Sequence, residues 1–128
     1  MSKTFTIGLT VTANGTDFPA ARISVTGGGG LSIDETIPAP STDQLVACAI
    51  DVSQLKAVIL LSDVALVVHT NTLAGDDDIS LAAGVPLIWT STSGLASPFT
   101  VDITALHVVL GGSTNARFQA EFVYDPTV

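Results

Sequence analysis

Apolar and polar residues alternate along most of this chain. Residues 4–12 read Thr-Phe-Thr-Ile-Gly-Leu-Thr-Val-Thr, which sets Phe5, Ile7, Leu9 and Val11 on one side and mostly threonine on the other. A period of two belongs to a strand with one buried face. The same alternation predicts strands over residues 21–26, 31–37 and 45–51; in the last, Leu45, Ala47, Ala49 and Asp51 share a side. Residues 57–61 and 65–70 are apolar almost without a break, as in strands buried on both faces, or on one face and against a partner. Residues 79–82, 86–89, 102–110 and 116–124 complete the set.

Turn residues separate these segments. Asn14-Gly15 is a strong hairpin signal after the first strand. The four glycines at 27–30 read as a flexible connection, because a glycine run weakens a strand interior. They do not read as a phosphate loop: no Gly-Lys-Ser/Thr ending and no convincing helix follows. Pro38-Ala39-Pro40 predicts an extended loop, residues 52–56 a one-turn helical connection, and Ser62-Asp63 a join between two core strands. Ala83-Gly84-Val85 is a turn, residues 90–98 a Ser/Thr/Gly loop, and residues 111–115 the link within a last strand pair. Nine or ten strands at spacings near 8–12 residues, with no convincing long amphipathic helix, predict an all-β chain. The expected fold is an antiparallel β-sandwich, jelly-roll-like, forming a single domain over residues 1–128.

Composition narrows the function. Serine and threonine number 27, against 16 charged residues in all. Hydroxyls suit exposed sheet faces, where they pair across strands. They equally suit a surface covered by a neighbour, because interface cores are depleted of Lys, Glu and Asp. A net charge of −8 with four scattered cations (Lys3, Arg22, Lys56, Arg117) argues against nucleic acid as a partner and against an acidic membrane surface. Cys48 is alone, so no disulfide framework is expected; within Leu-Val-Ala-Cys-Ala-Ile it reads as a buried, inert thiol. The first residues lack the apolar run of a signal peptide, and residues 57–68 are too short to span a bilayer. The expectation is a soluble chain made in the cytoplasm.

Candidate chemistry is sparse. His69 and His107 are the two histidines, each inside a predicted strand; a shared metal site would need them to face each other and a further ligand, and packed or surface histidines are the ordinary reading. Asp76-Asp77-Asp78 offers carboxylates for calcium but lacks the ligand spacing of an EF-hand, so a solvated acidic turn is expected. No serine stands in Gly-x-Ser-x-Gly, and Glu35 and Glu121 are the only glutamates, so neither a nucleophile elbow nor paired glutamates stand out. The reading is non-enzymatic, with no cofactor and no metal. Trp89, beside Thr90-Ser91-Thr92-Ser93-Gly94, is either the end of a core strand or an exposed ring for a sugar or a protein; the core reading has the stronger claim.

Several segments resemble a family. They are Ser41-Thr42-Asp43-Gln44-Leu45-Val46-Ala47, Ala49-Ile50-Asp51-Val52-Ser53-Gln54-Leu55-Lys56, Thr70-Asn71-Thr72 with residues 76–79, Ala83-Gly84-Val85-Pro86-Leu87-Ile88-Trp89, and Phe122-Val123-Tyr124-Asp125-Pro126. Together they resemble small virion proteins of tailed bacteriophages, across roughly residues 41–126. The resemblance implies a head decoration (cement) protein located on the capsid surface, with the major capsid protein as partner and a homotrimer as the expected oligomer. A host-surface carbohydrate-binding module and a small tail-tube or tail-adaptor protein are the alternatives. Contact residues are expected at the N-terminal strand (Lys3, Thr4, Phe5), the glycine run (Gly28, Gly29) and the loop after the tryptophan (Trp89, Thr90), since termini and loops are free to reach a partner.

Overall fold

The computed structural model describes residues 2–9, 12–17 and 21–126. Its strands are β1 (Lys3–Leu9), β2 (Thr12–Ala13), β3 (Thr16–Asp17), β4 (Ala21–Gly27), β5 (Gly29–Ile37), β6 (Ser41–Ile50), β7 (Leu55–Ser62), β8 (Leu66–Thr70), β9 (Asp78–Leu81), β10 (Leu87–Thr90), β11 (Ile103–Leu110) and β12 (Ala116–Tyr124). A single 3-10 turn, Val52–Gln54, interrupts them where the sequence predicts a one-turn connection. Two four-stranded antiparallel sheets pack together. The first runs β10-β7-β12-β5 and the second β6-β11-β8-β9. The all-β antiparallel sandwich is therefore the fold, with ten strands of four residues or more and the two-residue arms β2 and β3 besides.

Asn14 and Gly15 both have positive φ (52° and 78°), as a two-residue primed hairpin turn between β2 and β3 requires. Val11 lies outside the described residues. The strand containing Phe5 and Ile7 pairs with β4 along its whole length, from Lys3 opposite Gly27 to Leu9 opposite Ala21. This β1–β4 ribbon joins neither large sheet. Val25 packs with Ala57 and Val123 on the outside of the first sheet, with Phe5 and Ile23 beside them.

The glycine run corrects an expectation. Gly27 ends β4, Gly28 is a bend, and Gly29 and Gly30 begin β5, so three of the four glycines are strand residues. Close approach, and no flexible linker, explains them. A Cβ on Gly27 would run into the carbonyl oxygen of Tyr124, and one on Gly30 into the stem of Lys3. The glycines let the ribbon lie flat over the sheet that the chain enters at β5.

Strand pairing brings a second correction. The predicted last pair, β11 and β12, do not pair with each other; they lie in opposite sheets. The same holds for β7 and β8 across Ser62-Asp63, and for β9 and β10 across Ala83-Gly84-Val85. Turn residues mark a reversal, but whether the chain returns beside itself or crosses to the facing layer depends on which strand has an unfilled edge.

The main core fills the space between the sheets. Phe118 and Phe122 of β12, Phe99 ahead of β11, and Val58, Leu60, Val68, Leu106, Val108 and Leu110 are essentially fully buried. Phe99 and Phe122 meet with ring centroids 6.0 Å apart at 41°. Each such side chain contributes roughly 1.5–3 kcal/mol through removal from water. The buried hydroxyls Ser62, Thr70 and Thr90 have local partners, such as Ser62 Oγ donating to the Val64 carbonyl at 2.6 Å.

A candidate interface on the outside of the second sheet

Alternation along β6 buries Val46, Cys48 and Ile50 and turns Leu45, Ala47 and Ala49 to the outside. The register places matching residues of the neighbouring strands beside them. Ala105 stands opposite Ala47, and His107 opposite Leu45. Val109 stands opposite Val67, and His107 opposite His69. His69 in turn stands opposite Asp78, and Val67 opposite Ser80. The outer face thus mixes small apolar residues with histidine, aspartate and serine, and one row, Leu45–His107–His69–Asp78, crosses all four strands. Leu45 is 60% exposed.

No lysine or arginine lies on β6, β8, β9 or β11. All four cations belong to the ribbon or the first sheet: Lys3 on β1, Arg22 on β4, Lys56 on β7 and Arg117 on β12. The second sheet therefore presents its carboxylates with histidine alone as partner. Asp43 Oδ1 lies 2.6 Å from His107 Nδ1, and Asp78 Oδ1 lies 2.6 Å from His69 Nδ1.

The acidic run ahead of and into β9 lies at a turn with Asp76 and Asp78 exposed, as expected, and its carboxylates also have partners within the fold. Asp76 accepts from Asn71 Nδ2 at 2.6 Å, and Asp77 accepts from both the backbone N–H and the hydroxyl of Thr100 at 2.8 and 2.7 Å. With Asp78 on His69, three consecutive carboxylates serve three separate partners. Asp77 fastens the β8–β9 connection to the segment ahead of β11, while Asp76 and Asp78 make contacts within the β8–β9 unit. No group of three or more His, Cys, Asp or Glu able to hold a metal ion occurs among the described residues.

No protein-family model, curated protein or solved structure matches this chain.

Most contact residues expected from sequence are engaged within the fold. The Lys3 ammonium meets Glu121 and also donates to Ser32 Oγ at 2.9 Å, and Phe5 packs on the small core beneath the ribbon. Thr4 is exposed, its hydroxyl 2.6 Å from that of Thr26 across the ribbon. Gly28 lies against Pro126 and Gly29 against the ring of Tyr124. Trp89 is half-buried against the main core and donates its indole N–H to the Leu95 carbonyl at 2.9 Å, which places it at the end of a core strand. Thr90 is buried opposite Ala57. The residues that sequence reasoning missed are those of the second sheet's outer face. Leu45, Ala47 and Ala49 were visible as one side of a strand, yet nothing in their alternation says which side faces water.

Cys48 is buried, and its burial pushes the thiol up to about 12. It adjoins a groove of about 340 Å³ lined also by Leu31, Ala47, Ala49, Thr104 and Tyr124. A thiol held protonated is no nucleophile, so the groove offers shape and apolar surface without thiolate chemistry.

Proposed function

We propose that this chain is a non-enzymatic structural protein of a tailed-bacteriophage virion, a decoration protein that binds the outside of the capsid and stabilises the shell. The observation that carries the reading is the outer face of the second sheet: small apolar residues, an exposed leucine and carboxylates without a lysine or arginine. Such a face is suited to another protein surface whose basic residues meet Asp43 and Asp78.

Its size points to a repeating partner. Four strands at ~4.8 Å spacing and about seven residues at ~3.3 Å rise give a patch of roughly 400 Å². A stable standard interface buries about 800 Å² on each partner. One copy therefore binds weakly, and a homotrimer on a lattice gains by avidity what a single face lacks. Selective binding to the assembled shell stabilises that state by mass action. Consecutive strands β5 to β12 alternate between the two sheets except at β8–β9, and this supports a jelly-roll winding for the sandwich.

The sugar-binding alternative rests on Trp89 and the acidic run, both of which have partners inside the fold, and no observation favours a tail-tube role. Quantitative mass spectrometry of purified virions tests the proposal. A copy number comparable with that of the major shell protein is expected; a handful of copies would move the chain to a vertex or the tail, and absence would remove the virion reading.

A further inference from the structure

The two histidines form a pair that the surrounding carboxylates have already oriented. His69 and His107 are directly opposite in the β8–β11 register, at the middle of the second sheet's outer face. Directly opposed residues of an antiparallel pair have their Cβ atoms about 4.5–5.5 Å apart, so two imidazoles there stand side by side. Each ring is anchored from the far side: Asp78 on β9 takes His69 Nδ1 and Asp43 on β6 takes His107 Nδ1, both at 2.6 Å. An ionised carboxylate can only accept, so in each neutral ring the proton is on Nδ1 and the lone pair is on Nε2. With each Nδ1 held by a carboxylate of the flanking strand, Nε2 is the nitrogen that each neutral ring has left to offer a ligand.

We propose that His69 and His107 together chelate a late divalent transition-metal cation (Zn²⁺, Cu²⁺ or Ni²⁺) through their two Nε2 atoms, with Asp78 and Asp43 as positioning residues. Carboxylate–histidine–metal is the arrangement by which proteins fix the tautomer and raise the basicity of a ligating imidazole, and here each histidine has its carboxylate, Asp78 directly opposite His69 and Asp43 diagonal to His107, two residues from Leu45. Two imidazole nitrogens select for these cations over Ca²⁺ and Mg²⁺, which require oxygen ligands. Asp43 and Asp78 each give Oδ1 to an Nδ1, so the two imidazoles are the ligands proposed and water supplies the further ones. Each histidine side chain retains 18% exposure, so an ion can reach the ring edges from solvent.

The test uses the purified full chain and does not depend on the virion reading. Calorimetric titration with Zn²⁺ at neutral pH is expected to show one ion per chain. His69→Gln and His107→Gln should each weaken it at least tenfold, and the double variant should abolish it. Asp43→Asn and Asp78→Asn, at exposed positions, should leave the fold intact and weaken the ion about 10–100-fold, the usual effect of removing such a partner. A second measurement needs no variant: Cu²⁺ added to the unaltered chain should broaden the NMR signals of His69 and His107 first. Broadening centred on other residues than the two histidines, or undiminished Zn²⁺ affinity in the double histidine variant, would overturn the proposal.

Discussion

The outer faces of the two sheets are built to opposite ends. On the first sheet, Val123 and Ala57 lie under the β1–β4 ribbon with Phe5 and Ile23, and two ion pairs lie on that side: Arg117 donates to both oxygens of Asp34 at 3.0 and 2.8 Å, and Lys3 reaches Glu121. On the second sheet, Leu45, Ala47 and Ala49 have no such ribbon over them, and the carboxylates have only histidine. The N-terminal ribbon covers part of one sheet, whereas Leu45, Ala47 and Ala49 on the other are exposed. The difference teaches that exposed apolar surface here follows a plan of layers, and that the bare layer is the place to look for function.

Substitutions at matched positions can break that comparison. Val123→Asp sets a carboxylate under the ribbon with no partner and should cost more than about 3 kcal/mol in a denaturant titration. The corresponding change on the bare face, Ala47→Asp, should stay within about 0.5 kcal/mol and yet abolish capsid binding in a sedimentation assay. Equal costs at the two positions would mean that the faces do not differ as described.

Trp89→Ala should lose about 2–3 kcal/mol, less than a fully buried tryptophan because the ring is only half covered. Its near-ultraviolet signal should be present in the folded protein and unaffected by sugars. Gly27→Ala tests the fold-over of the ribbon: the added methyl meets the Tyr124 carbonyl, and thermal melting should report a loss of about 1–3 kcal/mol.

Two smaller effects sharpen the electrostatic side. Cys48 should resist thiol reagents at pH 8 in the native protein and react fully in denaturant, since burial holds its proton up to about 12. The Arg117 guanidinium holds the Asp34 carboxyl below the usual carboxylate value. Because the folded value is the lower one, the pair's stabilising contribution is whole at neutral pH and is lost only as the pH falls through that lowered value. Both groups are exposed, so an Arg117→Gln variant should differ from the parent in acid melting by little, and by less in high salt.

Much of the layer structure was legible in the chain. Period-two alternation located nearly every long strand, and Asn14-Gly15 and residues 52–56 gave their turn and helical connection because φ preferences and local hydrogen bonds act within a few residues. The glycines were misread, because their reason lies in Tyr124 and Lys3, far away in sequence. The acidic run is at an exposed turn as expected, but its partners were not legible: Thr100, Asn71 and His69 come to it only through the register of β8, β9 and the segment before β11.

The sequence by itself determined that this protein is an antiparallel β-sandwich with a hydroxyl-rich, cation-poor surface, since alternation and composition are local or summed properties. Tertiary structure alone decided which strands share a sheet, that all four cations fall on one layer, and that His69 stands opposite His107. Those are facts of register, and register is set by how whole faces pack. An alternating strand says that one side is buried; only the neighbouring strands and the covering ribbon say which side, and against what.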